Sequence, residues 1–323
     1  MGVKITLKNH ICLFLFLLLF LIRAAAAQDS VNDLVPAGTI DLKTRTVLLN
    51  TGYEMPVIGV SFPESAPEKV EELVYQAIAA GFRLIDLSGS YKNETAAGRG
   101  ISRALEEKII TREELFVTVM MWIDRYEDGE SAIAGTLERL GLDYVDLMLL
   151  RQGQFDRDME AYQAMEQALS SGRIRSLGLS DFYEVWNYDL VTNAVSEPPA
   201  VISSGIYPYQ QNRTMKDHVS DSAVVMISSE PMGGEEDSHI LFADFAVSSI
   251  ATWYSKTSDQ IILRWQLQSG NAAVPTVGDV AKLSEILEIF DFELEERDME
   301  RIDALDRGQL LVDFFSEDFK YEY

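Results

Sequence analysis

The chain has 323 residues, and its 52 acidic against 27 basic residues give a formal net charge of −25. A hydrophobic fraction of 47% is typical of a globular protein and excludes wholesale disorder. The sequence has no basic stripe for phosphate backbones, so we do not expect nucleic acid as a partner. We interpret the acidic balance as a highly soluble surface.

Residues 1–27 have the pattern of a signal peptide. Two lysines precede an apolar run over residues 11–22, which is short for a membrane span, and four alanines follow at 24–27. We therefore predict a protein of the secretory pathway, in the endoplasmic reticulum lumen or outside the cell. The alternative is an uncleaved anchor, which would be the only membrane contact. The only cysteine, Cys12, lies in this segment, so the rest of the chain has no disulfide framework.

Residues 28–44 are polar and predict a loose leader, and a hairpin is expected around Asn50-Thr51-Gly52. After the hairpin, short apolar runs alternate with amphipathic runs. The predicted strands are 57–61, 83–88, 115–121, 145–150, 174–179, 200–206, 223–227 and 272–275. The predicted helices are 68–80, 94–108, 130–140, 158–171, 182–195, 211–220, 257–269 and 279–290.

Eight strand–helix pairs favour a (β/α)8 TIM barrel with an N-terminal β-hairpin, which is one domain at this length. An open, doubly wound sheet is the alternative, but the first strand–helix turn lacks the glycine pattern of dinucleotide-binding folds. We read residues 234–256 as an inserted loop and short helix, and 294–306 as one more helix. The barrel is thus assigned to 45–308 and a C-terminal tail to 309–323.

Several segments occur in the order found in one known family. They include Leu-Asn-Thr-Gly-Tyr-Glu-Met-Pro at 49–56, Arg-Glu-Glu-Leu-Phe-Val-Thr at 112–118, Leu-Gly-Leu-Asp-Tyr-Val-Asp-Leu at 140–147 and Ile-Ile-Leu-Arg-Trp at 261–265. Together they resemble the aldo-keto reductases over 45–308. The resemblance implies transfer of a hydride from a nicotinamide to a carbonyl carbon, with a tyrosine protonating the carbonyl oxygen.

The resemblance also assigns the catalytic positions. Tyr91 matches the proton donor, Asp86 matches the acid that holds the family's lysine, and Trp122 matches an aromatic of the substrate pocket. The lysine position is Met120, which carries no charge, and the histidine position is Arg151. Because an unpaired carboxylate inside a barrel is costly, we predict that Arg151 reaches Asp86 or the Tyr91 hydroxyl.

By the same resemblance, NADPH would be the cofactor of an active member. Its carboxamide contacts match Ser180, Asp181 and Ser203, where the family has a Ser-Asn pair and a Gln, and its stacking aromatic matches Ser229. At the adenosine phosphate site the matching positions read Thr276, Val277, Lys282 and Ile286. Only Ser180 is unchanged, and Lys282 keeps a positive charge.

We therefore favour a degenerate family member that keeps the barrel and pocket, with NADPH bound weakly or no cofactor at all. Two alternatives remain: an active reductase of aldehydes or ketones that uses Tyr91 with Arg151, and a non-catalytic barrel that binds a small ligand or partner. The expected ligand is a small carbonyl compound or another small molecule. The three histidines, His10, His218 and His239, do not cluster with acids, so no metal is assigned.

The leader generates a direct prediction. Expression of the full chain in a eukaryotic secretory host should give a soluble product cleaved within residues 24–28, because an apolar core followed by small residues is the pattern that signal peptidase cleaves. N-terminal sequencing of the purified protein measures this. An intact Met1 on a membrane-bound product would contradict it.

Overall fold

The computed structural model describes residues 35–89, 91–234 and 238–308, and only the backbone of Tyr91. The predicted signal peptide and tail lie outside these ranges. A three-stranded antiparallel sheet comes first, formed by β1 (Ile40–Asp41), β2 (Thr46–Leu48) and β3 (Glu54–Pro56). The predicted hairpin is therefore present. The strand β1 lies within 28–44, so ordered structure begins before the end of the predicted loose leader.

Seven parallel strands form the main sheet, in the spatial order β10-β9-β8-β7-β6-β5-β4. Their bounds are β4 (Leu84–Asp86), β5 (Phe116–Met121), β6 (Leu147–Arg151), β7 (Leu177–Ser180), β8 (Val201–Ser204), β9 (Val225–Ser228) and β10 (Ala272–Ala273). The segment 57–61 joins the two edges, because Val60 bridges Ile85 of β4 and Ile58 bridges Ala273 of β10. The predicted (β/α)8 barrel is confirmed, with 57–61 held by isolated bridges.

Eleven α-helices occur in the described ranges. They are α1 (Pro67–Ala80), α2 (Glu94–Glu106), α3 (Gly129–Leu140), α4 (Phe155–Ser170), α5 (Val185–Thr192), α6 (Arg213–Val219), α7 (Ser238–Ala243), α8 (Phe245–Tyr254), α9 (Ser258–Gln268), α10 (Ala281–Leu287) and α11 (Glu296–Asp303). The prediction of a loop and one short helix at 234–256 is wrong, because both α7 and α8 form there. Asp244 caps α8 by accepting a hydrogen bond from the backbone N–H of Ala246.

The strand register places the predicted site residues on one rim. Asp86 lies opposite Thr118, and Arg151 lies opposite Ser180, which in turn lies opposite Ser203. The C-terminal halves of these strands, where barrel enzymes carry their reactive groups, contain Asp86, Arg151, Ser180 and Ser203. The fold therefore brings these four predicted residues to the same rim of the sheet.

Two asparagines match the N-glycosylation pattern, and both are buried. The Asn93 amide donates to the Ser65 carbonyl at 3.3 Å, and the Asn212 amide donates to the Ser204 hydroxyl at 3.3 Å. A glycan on either amide would have to displace these contacts. Across the described ranges, no helix is long and apolar enough to cross a membrane, and no group of three or more potential ligands forms a metal site.

The first turn of α4 holds a buried carboxylate under the loop that follows β6. Asp158 accepts a hydrogen bond from the Gly153 backbone N–H at 3.1 Å through Oδ2, and its Oδ1 has no hydrogen-bond partner. Burial raises the pKa of Asp158 from 3.8 to about 6, and the Gly153 hydrogen bond and the charge of Arg157 only partly oppose this shift. The folded state thus favours the protonated acid, and stability falls as the pH rises from about 4 to about 6.

Removing this charge should stabilise the protein at neutral pH. We expect Asp158→Asn to raise the free energy of unfolding by about 1–3 kcal/mol at pH 7.5, and by about 1 kcal/mol less at pH 5.0, because the folded acid is already mostly protonated there. Urea unfolding at the two pH values measures the difference. Exposed Asp221→Asn is the control; an equal gain at both pH values would contradict the titration of Asp158.

Candidate active site at the barrel mouth

Asp86 ends β4 and is fully buried. One carboxylate oxygen, Oδ1, accepts a hydrogen bond from the Ser88 backbone N–H at 2.7 Å. In the described part of the chain, no lysine or arginine lies within ion-pair distance of this carboxylate. Burial raises the pKa of Asp86, and the Ser88 hydrogen bonds only partly oppose it. The acid is thus accommodated by a shift toward its protonated form.

The strand beside Asp86 supplies no cation. Thr118, opposite Asp86 on β5, is buried and its hydroxyl has no hydrogen-bond partner. Met120, at the position of the family's lysine, is buried beside Leu149 of β6. A thioether neither donates a hydrogen bond nor carries charge. The lysine–tyrosine relay implied by the resemblance is therefore absent at this position.

Arg151 ends β6, and its guanidinium forms an ion pair with a different acid from the one predicted. Its Nη1 lies 2.7 Å from Oδ2 of Asp181, and the two side chains are only 12% and 14% exposed. The predicted pair with Asp86 does not form, and the alternative contact with the Tyr91 hydroxyl lies outside the described part of the chain. Asp86 is two strands away from Arg151, about 10 Å across the sheet, whereas Asp181 follows the strand directly beside it. The order of the strands thus decides the partner.

Asp181 is held in place by its backbone as well as by Arg151. Its φ of +64° lies in the left-handed region, which aspartate tolerates better than most residues. Its N–H donates to the Ser203 carbonyl at 2.9 Å, and the Ser180 hydroxyl donates to its Oδ2 at 3.3 Å. Burial raises the pKa of Asp181, while Arg151 and hydrogen bonds from Ser180 and Tyr183 oppose the rise.

Sequence analysis missed two further residues of this cluster, Tyr183 and Glu230. The Tyr183 hydroxyl accepts a hydrogen bond from the Gly205 backbone N–H at 3.1 Å, and its pKa is raised by burial and by the Asp181 charge. Burial also raises the pKa of Glu230, then Asp181 adds to the rise and Arg151 opposes it. One oxygen of Glu230 is buried without a hydrogen-bond partner. Both residues follow the end of a strand by two or three positions, and this placement is the signal in the sequence that could have identified them.

The other predicted residues of the mouth lie where expected, but make structural contacts. Trp122 follows β5 and donates from Nε1 to the Ser88 carbonyl at 3.1 Å, and the Arg151 guanidinium lies 5.1 Å from its ring centroid. Ser203 is buried in β8, and the Ser229 backbone N–H donates to the Ser204 carbonyl at 3.0 Å. The Tyr91 side chain lies outside the described part of the chain, so its predicted role stays a prediction.

Lys282, the predicted phosphate ligand, lies on α10. Its Nζ is 3.1 Å from Glu285 and 3.5 Å from Asp259, and hydrogen bonding to Glu285 raises its pKa. The Thr276 hydroxyl is 2.9 Å from the Ser61 hydroxyl, and Val277 is buried. The only cation retained from the family's phosphate site is therefore already neutralised by two carboxylates.

Among the described residues of the mouth, the Arg151 guanidinium thus lies between the acids Asp181 and Glu230. Arginine stays protonated at all relevant pH values and makes a poor acid–base partner. Asp181 and Glu230 both face its charge, with the short salt bridge made to Asp181. Such an arrangement can bind and orient a polar ligand, but among the described residues it supplies no buried lysine or histidine to tune Tyr91.

The Arg151–Asp181 pair gives a direct test by a double-mutant cycle. We expect Arg151→Met alone to destabilise the fold by about 1–3 kcal/mol, because it leaves the buried Asp181 carboxylate without its cation. In the Asp181→Asn background the same change should cost at least 1 kcal/mol less, on the order of a measured pair coupling. Chemical denaturation of the four proteins gives the coupling energy.

The matched control is the pair that the sequence alone suggested. Arg151→Met and Asp86→Asn should be additive within about 0.5 kcal/mol, because the two side chains do not touch. Strong coupling to Asp86 together with additivity at Asp181 would contradict the geometry.

Comparison with known proteins agrees with the fold. The model of the Aldo/keto reductase family matches residues 58–307. The uncharacterized oxidoreductase YtbE of Bacillus subtilis is 35% identical over 274 residues, which cover 84% of this chain and 95% of that protein. The NAD(P)H-dependent D-xylose reductase I,II of Candida tropicalis is 29% identical over 301 residues, covering 81% and 93%.

A solved structure has the same architecture. The Bombyx mori aldo-keto reductase in complex with NADP superposes with a TM-score of 0.76 at 25% sequence identity, covering 83% of this chain and 95% of that one. The family match spans most of the described barrel, including every strand of the main sheet. This chain belongs to the aldo-keto reductase family.

Proposed function

We propose that this protein is a member of the family that has lost ordinary NADPH-dependent carbonyl reduction and uses its barrel mouth to bind a small polar ligand. The observation that best supports this proposal is the Arg151–Asp181 ion pair. Arg151 lies at the position of the family's histidine, and Asp181 lies at the position of the asparagine that would bind the nicotinamide carboxamide. From its sequence, we place the protein in the secretory pathway.

The nicotinamide end of the cofactor does not fit these residues. A carboxamide carbonyl needs a donor, and the Asp181 carboxylate is an acceptor already engaged by Arg151. Ser203 and Ser229 are shorter than the glutamine and the aromatic that the family has, so the amide contact and the stacking surface are both reduced. To satisfy its carboxamide carbonyl, bound NADPH would have to break the ion pair or take the Ser180 hydroxyl away from Asp181.

The adenosine end fits no better. Phosphate binding needs backbone donors and fixed cations. Lys282 is shared between Glu285 and Asp259, whose carboxylates would repel a phosphate. Val277 and Ile286 are buried apolar residues and offer no polar side chain. Both ends of the cofactor thus meet residues that disfavour it.

An active reductase is the second candidate. It is favoured by the reductases among the relatives and by the presence of Tyr91, Asp86 and Trp122 at the family's positions. In that case Arg151 would orient the carbonyl oxygen as a fixed positive charge, and the protonation state of Asp86 would matter for Tyr91. Cofactor affinity separates the two candidates.

We predict that NADPH binds more weakly than about 100 μM, which corresponds to less than about 5.5 kcal/mol of binding free energy. The reason is the loss of contacts at both ends of the cofactor site. Calorimetric titration of the purified chain with NADPH and with NADH measures it. The NADP-binding Bombyx mori relative is the positive control.

A low-micromolar affinity, with NADPH oxidation in the presence of small aldehydes, would overturn the proposal and support the active reductase. A weak affinity without oxidation of NADPH across the same aldehydes is the result that the proposal requires.

A further inference from the structure

Glu230 is an acid of the barrel mouth whose carboxylate lacks a donor. It follows β9 by two residues and is half-buried. Its Oε2 atom is buried and has no hydrogen-bond partner. Among the described residues, no lysine or arginine lies within ion-pair distance of this carboxylate, whereas Asp181 has the Arg151 guanidinium at 2.7 Å. A buried carboxylate oxygen without a donor is rare in folded proteins and needs an explanation.

The donors around Glu230 are engaged by Asp181. Nη1 of Arg151 lies 2.7 Å from Oδ2 of Asp181, and the Ser180 hydroxyl donates to the same oxygen at 3.3 Å. The Tyr183 hydroxyl is hydrogen-bonded to this carboxylate as well. Because a hydroxyl has only one hydrogen to donate, neither Ser180 nor Tyr183 has a second one for Glu230.

The charges of the mouth favour a positively charged ligand. Glu230 and Asp181 are two carboxylates against the single guanidinium of Arg151, and the charge of Asp181 acts on Glu230. One negative charge is therefore unbalanced even before Asp86 is counted. An anion would be repelled here, and a carbonyl would bring one more acceptor. An ammonium group brings a positive charge and three N–H donors.

Burial also prepares Glu230 to bind a cation. It is the main cause that raises the pKa of this acid, the Asp181 charge adds to the rise, and Arg151 opposes it. A cation beside Glu230 would lower that pKa again, because it favours the charged form. A donor on Oε2 would also satisfy a buried oxygen whose missing hydrogen bond costs free energy. Both effects would contribute to binding affinity.

A second buried polar atom without a partner lies on the same side of the sheet as Arg151. Thr118 is 1% exposed, and its hydroxyl has no hydrogen-bond partner. It lies opposite Leu147 of β6, four residues before Arg151, so the side chains of Thr118 and Arg151 share one face. Unpartnered polar atoms on two sides of the mouth are typical of a pocket whose ligand supplies the missing hydrogen bonds.

We propose that the small ligand of the barrel mouth is an organic cation, and that its protonated primary amine donates to the buried oxygen of Glu230 beside the Arg151–Asp181 pair. This inference rests on the proposed function and names the chemical class of its ligand. In the complex, Glu230 receives the donor that no described residue provides. A primary amine suits a half-buried carboxylate because its three N–H donors are compact.

Three probes of nearly the same shape separate charge from size. At pH 7.5 benzylamine is a cation, benzyl alcohol is neutral and benzoate is an anion. Each is titrated into the full chain by isothermal titration calorimetry. We expect benzylamine to bind at least about tenfold more tightly than benzyl alcohol, a difference of about 1.4 kcal/mol, and benzoate to bind most weakly.

The matched variants are Glu230→Gln and Glu184→Gln, each of which removes one negative charge. Glu184 follows Asp181 by three residues, is exposed, and makes no side-chain capping hydrogen bond to α5. Glu230→Gln should weaken benzylamine binding at least about fivefold, to within about twofold of benzyl alcohol, because it removes the charged acceptor. Glu184→Gln should leave the affinity within about twofold of the wild type. Circular dichroism confirms that both variants are folded.

Equal affinities for benzylamine and benzyl alcohol, no binding of benzylamine, or equal losses in the two variants would overturn the inference. Titration of the same protein with NADPH keeps the proposed function separable. A low-micromolar NADPH affinity overturns the proposed function whatever the amine does. Weak NADPH binding without a preference for benzylamine overturns only the class of the ligand.

Discussion

The buried pair of Arg151 and Asp181 sets the character of the barrel mouth. Either charge alone would be costly at the end of a barrel strand, because desolvation is repaid only by a close partner. With Nη1 and Oδ2 2.7 Å apart, each residue compensates the other. The two departures from the family pattern at Arg151 and Asp181 are therefore coupled, because each charge compensates the other.

The ion pair also affects Asp86, because Arg151 is engaged by Asp181 and does not pair with this acid. The family's arrangement would give this acid a lysine, but Met120 lies there and Arg151 is engaged on the far side. The acid responds with a raised pKa rather than with a new partner. The mouth thus combines the Arg151–Asp181 ion pair with two neighbouring titratable groups, Glu230 and Tyr183. Such a pair suits binding and orientation better than proton transfer.

Much of the fold is predictable from the sequence, because apolar runs and glycine or proline punctuation define the strand–helix units. The partner of Arg151 is not, because it depends on the register that sets Arg151 opposite Ser180 and so next to Asp181, the residue after β7. Spacing along the chain does not fix that register. The sequence suggested that Arg151 pairs with the acid Asp86, but the acid that it contacts is Asp181.

The segment before α9 is a second feature that could not be predicted fully from the sequence. Asp244 caps α8 and Thr257 caps α9, and the helices α7 and α8 occupy a region that the sequence was read to hold as a loop and one short helix. Capping is visible in the sequence, but which face of a helix meets the barrel is not. The exposure of Phe245 and Trp253 therefore emerges only from the packing of α8 against α11 and the barrel.

The most direct test of the account is the NADPH affinity of Arg151→His/Asp181→Asn, which removes the ion pair and restores the family's two side chains. If the pair is what disfavours the nicotinamide, this variant should bind NADPH at least about tenfold more tightly than the wild type, a gain of about 1.4 kcal/mol. Circular dichroism confirms that both proteins are folded. An unchanged affinity in the folded variant would contradict the account.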